Sequence, residues 1–308
     1  LRDVYKRQAQ QRKVNNMFAK TGMELLEICE EHNISLSEYA IRYEVEEKGL
    51  TRDEVIDKMR KNLNVMISAA NEGMEKEVYS VSGLIGGEAF KIHNYVKKGK
   101  ALTGDVTNMA MAMALSSSEV NASMGKIVAC PTAGSCGILP AVILSAGEKL
   151  GLDEEGLING LFAAAAVGMI IGLNATLAGA EGGCQAECGS ASAMGAAAVV
   201  EMMGGTPEMS LDAAAIVIKN VLGLVCDPVA GLVEIPCAKR NAQGAITALC
   251  MADMVMAGVA SKIPFDDTVS AMYKVGKSLP ESLRETALGG IAVTKTGLKL
   301  KEQVFGKE

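Results

Sequence analysis

The run "GLINGLFAAAAVGMIIGLNATLAGA", residues 156 to 180, carries no charged side chain over 25 positions. That is long enough to span a bilayer. Its surroundings argue otherwise. Asp153, Glu154 and Glu155 lie directly before it, no Lys or Arg adjoins it, and Asn159, Asn174 and Thr176 interrupt it. Membrane helices are oriented by flanking basic residues and tolerate such polar interruptions poorly. A helix apolar on every side and built from small residues is instead one surrounded by other helices. The expectation is a buried central helix near 156–180 inside a soluble domain, with no membrane contact. Composition supports close helix packing: aromatics make up 4% of the chain, Trp is missing, and there are 33 Gly and 18 Met. Methionine is the residue that fills irregular gaps between helices. Strict apolar–polar alternation is rare, so the fold class expected is all-α, a helical domain whose Gly-rich loops supply the active site.

Residues 14–78 are charged and amphipathic and read as surface helices. Ser35 or Ser37 precedes an acidic turn, and Thr51 followed by Glu54 has the spacing of a capping box. Near residue 80 the composition changes. "SVSGLIGGEAFK" opens a Gly-rich, weakly charged stretch running to about residue 205, with helices expected at 210–224, 241–260 and, last, 266–277. Residues 1–13 are read as an arm outside the fold, disordered or carried over from expression. Residues 14–308 are read as one helical catalytic domain, with 79–308 holding the cluster- and substrate-binding core.

A net charge of −6 implies no basic surface for phosphates, so no nucleic-acid partner is expected. The first residues, "LRDVYKRQAQQRK", lack the apolar segment of a secretory leader, which predicts a cytoplasmic protein with reduced thiols. Nucleotide motifs fail: a P-loop ending at Gly276-Lys277-Ser278 would need glycine where Ala271 stands. With only His32 and His93 present, a Ser-His-Asp relay and a mixed Cys/His zinc site are both poorly supported.

Of eight cysteines, six fall between residues 130 and 237, and reduced thiols so clustered suggest metal or catalysis. In "AEGGCQAECGS", residues 180–190, helical spacing would put Cys184 and Cys188 on one face, and geometry alone allows both to hold a ligand. "LVCDPVAGLVEIPCAKRN", residues 224–241, is broken by Pro228, Gly231 and Pro236. A stiff loop presenting Cys226 and Cys237 suits an iron–sulfur ligand, although two buried thiols would also fit it. "CPTAGSCGILPAVI", residues 130–143, offers the Thr132 and Ser135 hydroxyls between flexible glycines before a helix, a setting for a carboxylate.

Together, "SGLIGGEAFK", "ASMGKIVACPTAGSCGILPAVI", "GAEGGCQAECGSASAMGAAAVVEMMGG" and "CDPVAGLVEIPCAKRNA" resemble the iron–sulfur-dependent L-serine dehydratases over roughly residues 14–300. More narrowly, the chain resembles the catalytic α subunit of their two-subunit bacterial form. The resemblance implies a [4Fe-4S] cluster held by Cys184, Cys226 and Cys237, with Cys188 left to line the wall or pack in the core. Cys130 and Cys136 are taken as structural, although Cys136 could lie near substrate. Three ligands for four irons leave one iron open as a Lewis acid for the serine hydroxyl, and the products expected are pyruvate and ammonia. Thr132, Gly134 and Ser135 are the expected carboxylate anchors, with Ser82 and Gly83 of the segment Ser82–Gly87 closing the other side. The general base stays open among Glu181, Lys239 and a residue of another subunit. A separate β subunit is implied, because some members are single chains with an N-terminal regulatory part. No cysteine follows Cys250, so no capping of the open iron by a tail cysteine is expected. Three rivals remain: an L-cysteine desulfidase, a redox or structural cluster protein closed by Cys188, and a pyridoxal phosphate enzyme using Lys91.

Overall fold

Hydroxyl caps set where the first helices begin. In the computed structural model, which describes residues 17–306, Thr21 caps α1 (Gly22–His32), Ser35 caps α2 (Leu36–Lys48) and Thr51 caps α3 (Arg52–Glu75). Each side chain accepts the N–H three residues on, a contact typically worth about 1 kcal/mol. At Thr51 the bond is reciprocal: its own N–H donates to Glu54 Oε2 at 2.8 Å, completing the capping box. The N-terminus of α2 receives a second anion from far along the chain. Glu201 accepts the Leu36 N–H at 2.8 Å and the Ser37 N–H at 3.2 Å, opposite the positive end of the helix dipole. Residues 1–16, including the whole of the expected N-terminal arm, lie outside the described residues.

The chain continues through α4 (Glu88–Val96), α5 (Asp105–Ala122), α6 (Ile138–Leu150), α7 (Glu154–Asn174) and the four-residue α8 (Gly179–Gly182). A single π-helical turn at Gln185–Gly189 then leads into α9 (Ser190–Met202). It ends with α10 (Pro207–Asn220), α11 (Cys237–Met256), α12 (Phe265–Ser278) and α13 (Lys295–Phe305). Among the described residues there are 13 α-helices and no strand, so the fold is all-α as the patterning implies. The helix α13 lies beyond the last one expected. Its N-cap Thr294 accepts from Gly297, and that glycine in the first turn, with Gly289 and Gly290 just before, hides it from propensity reasoning.

Within the uncharged run α7 ends at Asn174, and α7 is long and apolar enough to cross a membrane. In this fold 61% of its most apolar window is buried, chiefly against α2 and α9. A strip including Ala165, Gly172 and Leu173 stays exposed. The most enclosed helix is the next long one. Every residue of α9 from Ser190 to Val200 is buried, and α9 packs on α6, α7, α10 and α11. Methionines of α9 seat in notches of α7. A Cβ on Gly160 would lie 2.7 Å from Met202 Sδ, and one on Gly168 would lie 2.7 Å from Met194 Cε. The N-terminal helices share this core: Met66, Ala70 and Met74 belong to it, and Gly73 donates to the buried Ser116 Oγ at 2.8 Å.

Three loops meet at one end of α9 and α11. The 3₁₀ turn Ala133–Ser135 before α6 packs against the π turn before α9 and against the start of α11.

Candidate metal centre

Cys184, Cys226 and Cys237 come from three of these junctions, and their relative exposures of 2%, 4% and 8% mark them as buried. Cys184 follows Gly183, whose φ of +74° turns the chain from α8 into the π turn. The neighbouring Gln185 ties this turn to the approach of Cys226. Its N–H donates to Leu224 O at 3.1 Å, and its Oε1 accepts the Gly223 N–H at 2.9 Å. The Cys226 N–H donates to Leu283 O at 2.9 Å, and its carbonyl accepts the Glu285 N–H at 2.8 Å. Cys237 is the first residue of α11, directly after the cis peptide Ile235–Pro236.

The Cys184–Cys188 question resolves into two different thiols. The side chains share a hydrogen bond: Cys188 keeps the proton and its pKa is pushed well up, while Cys184, accepting from Cys188, is lowered despite its burial. Arg240 adds a positive charge that favours the Cys184 thiolate. Burial works against that guanidinium, but the Cys184 thiol, Asp227 and Cys237 outweigh it and raise the Arg240 pKa. Desolvation raises Cys226 and Cys237, the latter to about 12, and the charge of Cys184 adds to both rises.

Two acids stand beside Cys226. One ligand atom from each of Glu187, Cys226 and Glu285 lies within 4.8 Å of the others. Burial raises the Glu187 carboxyl to about 7, Glu285 adds to the rise, and the Thr132 hydroxyl offsets part of it. A Cβ on Gly179 would stand 2.5 Å from Glu187 Oε2 and 3.2 Å from Cys226 Sγ, so only glycine leaves room there. Glu285 has φ +64° and Ala287 φ +56°, two non-glycine left-handed residues in one short loop. Strain of this kind collects at functional sites.

The loop expected to bind a carboxylate borders the same space. A Cβ on Gly134 would lie 3.5 Å from Glu187 Oε1 and 3.2 Å from Val233. Thr132 Oγ1 and Ser135 Oγ are 3.0 Å apart, and Asn241 holds the loop by donating to Gly134 O at 2.7 Å and to Cys237 O at 2.9 Å. Ser82, beside Gly83 (φ +74°), donates to Glu234 Oε2 at 2.7 Å, which fastens the remaining glycine loop to the segment between Cys226 and Cys237. The structure thus brings Ser82, Thr132, Gly134, Ser135, Cys184, Cys226 and Cys237 to one region.

The two base candidates lie elsewhere in their contacts. Glu181 is 57% exposed at the side chain and faces Lys277 at 3.9 Å, and Lys239, 55% exposed, pairs with Glu88. Lys91 is exposed, and His93 bonds the Met74 carbonyl through Nδ1 at 2.8 Å. Cys130 and Cys136 are buried near backbone carbonyls, and desolvation raises both thiols, Cys136 to about 12. Sequence reasoning did not single out Glu187, Glu285, Arg240 or Asn241. Glu187 had a signal: it lies three residues after Cys184, one helical turn along. Glu285 had none, since only the tertiary pairing of 283–285 with Cys226 brings it in.

The donor set fits an iron–sulfur group on its own chemistry: three buried thiols from separate elements, one already favoured as thiolate, with the half-buried Arg240 guanidinium set against the charge of Cys184 and Cys237. Residues 31–292 match the family described as "Serine dehydratase alpha chain". The "Probable L-serine dehydratase, alpha chain" of Bacillus subtilis (strain 168) is 50% identical over 283 residues, 92% of this chain and 94% of that one. The "L-serine dehydratase, alpha chain" of Peptoniphilus asaccharolyticus is 49% identical over 288 residues, 94% of this chain and 98% of that one. The "L-serine dehydratase" of Streptomyces coelicolor is 37% identical over 282 residues, 89% of this chain but 60% of that longer protein. This chain belongs to the serine dehydratase alpha chain family.

Proposed function

We propose that this chain is the catalytic α subunit of an L-serine ammonia-lyase, with Cys184, Cys226 and Cys237 holding a [4Fe-4S] cluster. The observation that carries the reading is the convergence of these three buried thiols beside the Thr132–Ser135 loop, together with the family match. When bound, such a cluster supplies a Lewis-acidic iron, which makes hydroxide a feasible leaving group. The protein's own part is binding, orientation and proton handling. Thr132 and Ser135 offer hydroxyls to the substrate carboxylate, and Asn241 keeps their loop at a fixed distance from Cys237. Ser82, held by Glu234, closes the opposite side.

Removal of the Cα proton and loss of hydroxide from Cβ give 2-aminoacrylate and water. Tautomerisation to the imine and hydrolysis then yield pyruvate and ammonia. Glu187 has the position to hold a proton at this site, since its carboxylate lies between Thr132, Gly134 and Cys226. Glu181, Lys239 and a residue of a partner subunit stay alternatives. A β subunit is part of the proposal: the Bacillus and Peptoniphilus relatives, matched over nearly their whole length, are named as alpha chains. An air-sensitive cluster also suits a reducing cytoplasm.

The test is anaerobic reconstitution with iron and sulfide, followed by pyruvate release from L-serine and, for comparison, L-cysteine. The chain is assayed alone and with the β partner. Expected is serine-dependent pyruvate that disappears after exposure to air. A full cluster with no pyruvate from serine under either condition would overturn the assignment, and preferential turnover of cysteine would move it to a desulfidase.

A further inference from the structure

Arg240 stands one turn after Cys237 on α11, with 15% of its side chain exposed. Nη1 donates to the Val225 carbonyl at 2.8 Å and Nη2 donates to Asp227 Oδ1 at 2.9 Å. Those acceptors belong to the residues immediately before and after Cys226. Asp227, 3% exposed, is fixed in turn by its second oxygen, which accepts the Ile291 N–H at 2.8 Å. The peptide groups of Cys226 itself are bonded to Leu283 and Glu285. One side of Cys226 is therefore held by the 283–285 segment, and the other by the helix that begins with Cys237.

The loop between these two cysteines contains Ala230 at φ +59° and Gly231 at φ +71°, and its main internal tie is the Val229 N–H on Ile235 O at 2.8 Å. Its other backbone bonds, from Gly231, Leu232 and Glu234, each close a single turn. A planar guanidinium can donate to a carbonyl and a carboxylate at once from fixed angles. An ammonium is a single point donor and cannot reproduce that bridge. As a stability device the pair is unpersuasive, because a buried ion pair gives back in desolvation much of what it gains. As a spacer between two ligands it makes sense.

We infer that Arg240 is a positioning residue for the metal centre: through Val225 and Asp227 it fixes the separation of Cys226 from Cys237. The inference rests on the proposed cluster. It goes further by giving a role to a residue that need touch neither cluster nor substrate. Partners that orient metal ligands in this way typically carry about 10–100-fold in metal affinity.

The test compares wild type with Arg240→Lys, Arg240→Gln and Asp227→Asn, all purified and reconstituted anaerobically. Three quantities are read: iron and sulfide per chain, the rate of iron loss to a chelator, and the electron paramagnetic resonance spectrum of the reduced cluster. Far-UV circular dichroism and the thermal midpoint of the unloaded proteins are followed alongside. The expected result is unloaded proteins that melt within a few degrees of wild type. Arg240→Gln should fall well short of full iron, and Arg240→Lys should load but lose iron about tenfold faster, with a shifted spectrum. Asp227→Asn keeps an acceptor for Arg240 and should lie between the lysine variant and wild type. Wild-type iron content, release rate and spectrum in both arginine variants would overturn the inference and leave the cluster assignment standing. A wild type that takes up no iron and sulfide would refute the cluster itself, and this inference with it. If Arg240→Gln fails to fold, the lysine and asparagine variants carry the decision.

Discussion

Replacing Glu119 by glutamine should stabilise this protein at alkaline pH and leave it unchanged in acid. Glu119 lies on α5 with no solvent exposure. One oxygen accepts the N–H groups of Glu88 and Ala89 at 2.6 and 3.3 Å, at the start of α4. The other oxygen has no partner. Burial is the largest influence and, with Glu88, outweighs the two N–H bonds and Lys239, raising the carboxyl from 4.5 to about 7. Between those values the folded protein holds a proton that the unfolded chain releases. Stability therefore falls as pH rises through the window and levels off above it. At 1.36 kcal/mol per pH unit, the interval from 4.5 to about 7 corresponds to a ceiling of about 3 kcal/mol. For a chain of this size that is roughly 5 °C in thermal midpoint. Glutamine keeps one oxygen for the Glu88 and Ala89 N–H groups and cannot ionise. Thermal unfolding of the two proteins from pH 5 to 8.5 should start together and diverge to about 5 °C in favour of Glu119→Gln. Parallel curves would show that Glu119 titrates normally. A variant less stable at pH 8 would show that the charge at the α4 N-terminus stabilises more than its burial costs.

Gly137→Ala should cost about 2–3 kcal/mol in chemical denaturation, because the added methyl meets the Ala114 carbonyl, a backbone atom that cannot swing away. A wild-type midpoint would show that α5 and the start of α6 can separate freely. Cys188→Ser should reconstitute with wild-type iron, since its thiol serves as donor to Cys184, whereas Cys184→Ser should lose most of it. Equal iron loss in both variants, measured per folded chain, would make Cys188 a ligand as well.

Much of the helix pattern was legible because its signals are local. Ser35 and Thr51 announce α2 and α3 by hydroxyl and acid spacing, and both caps are present. The central position was harder to read. Hydrophobicity favoured residues 156–180, yet α9, with serines and glycines among its alanines, is the more enclosed helix. Small side chains allow close approach on every side, and a hydropathy sum does not register that. The site shows a similar limit. Lys239 and Arg240 are neighbours in sequence, but only Arg240 lies a full turn from Cys237, and its fork reaches the Cys226 loop while Lys239 pairs with Glu88. Likewise Glu187 is one turn from Cys184, while Glu181 precedes Gly183, where the chain changes direction. Helical phase carries that information; residue type and proximity in sequence do not. Asp227, Ile291 and Glu285 meet only through tertiary pairing, which leaves no local trace.

The two methionine–glycine contacts between α7 and α9 act as an index as well as a packing solution. Gly160 and Gly168 are eight residues apart, as are Met194 and Met202, and the thioethers drop into the notches in antiparallel order. A slip by one turn, about 5.4 Å, would set one of the two methionines against Ala164 in place of a glycine, whichever way α9 moved. Two detents at matched spacing thus leave a single axial setting for α9. Cys184 stands directly before the π turn that leads into that helix, so its height relative to the other two cysteines is gauged from a seam remote from any thiol.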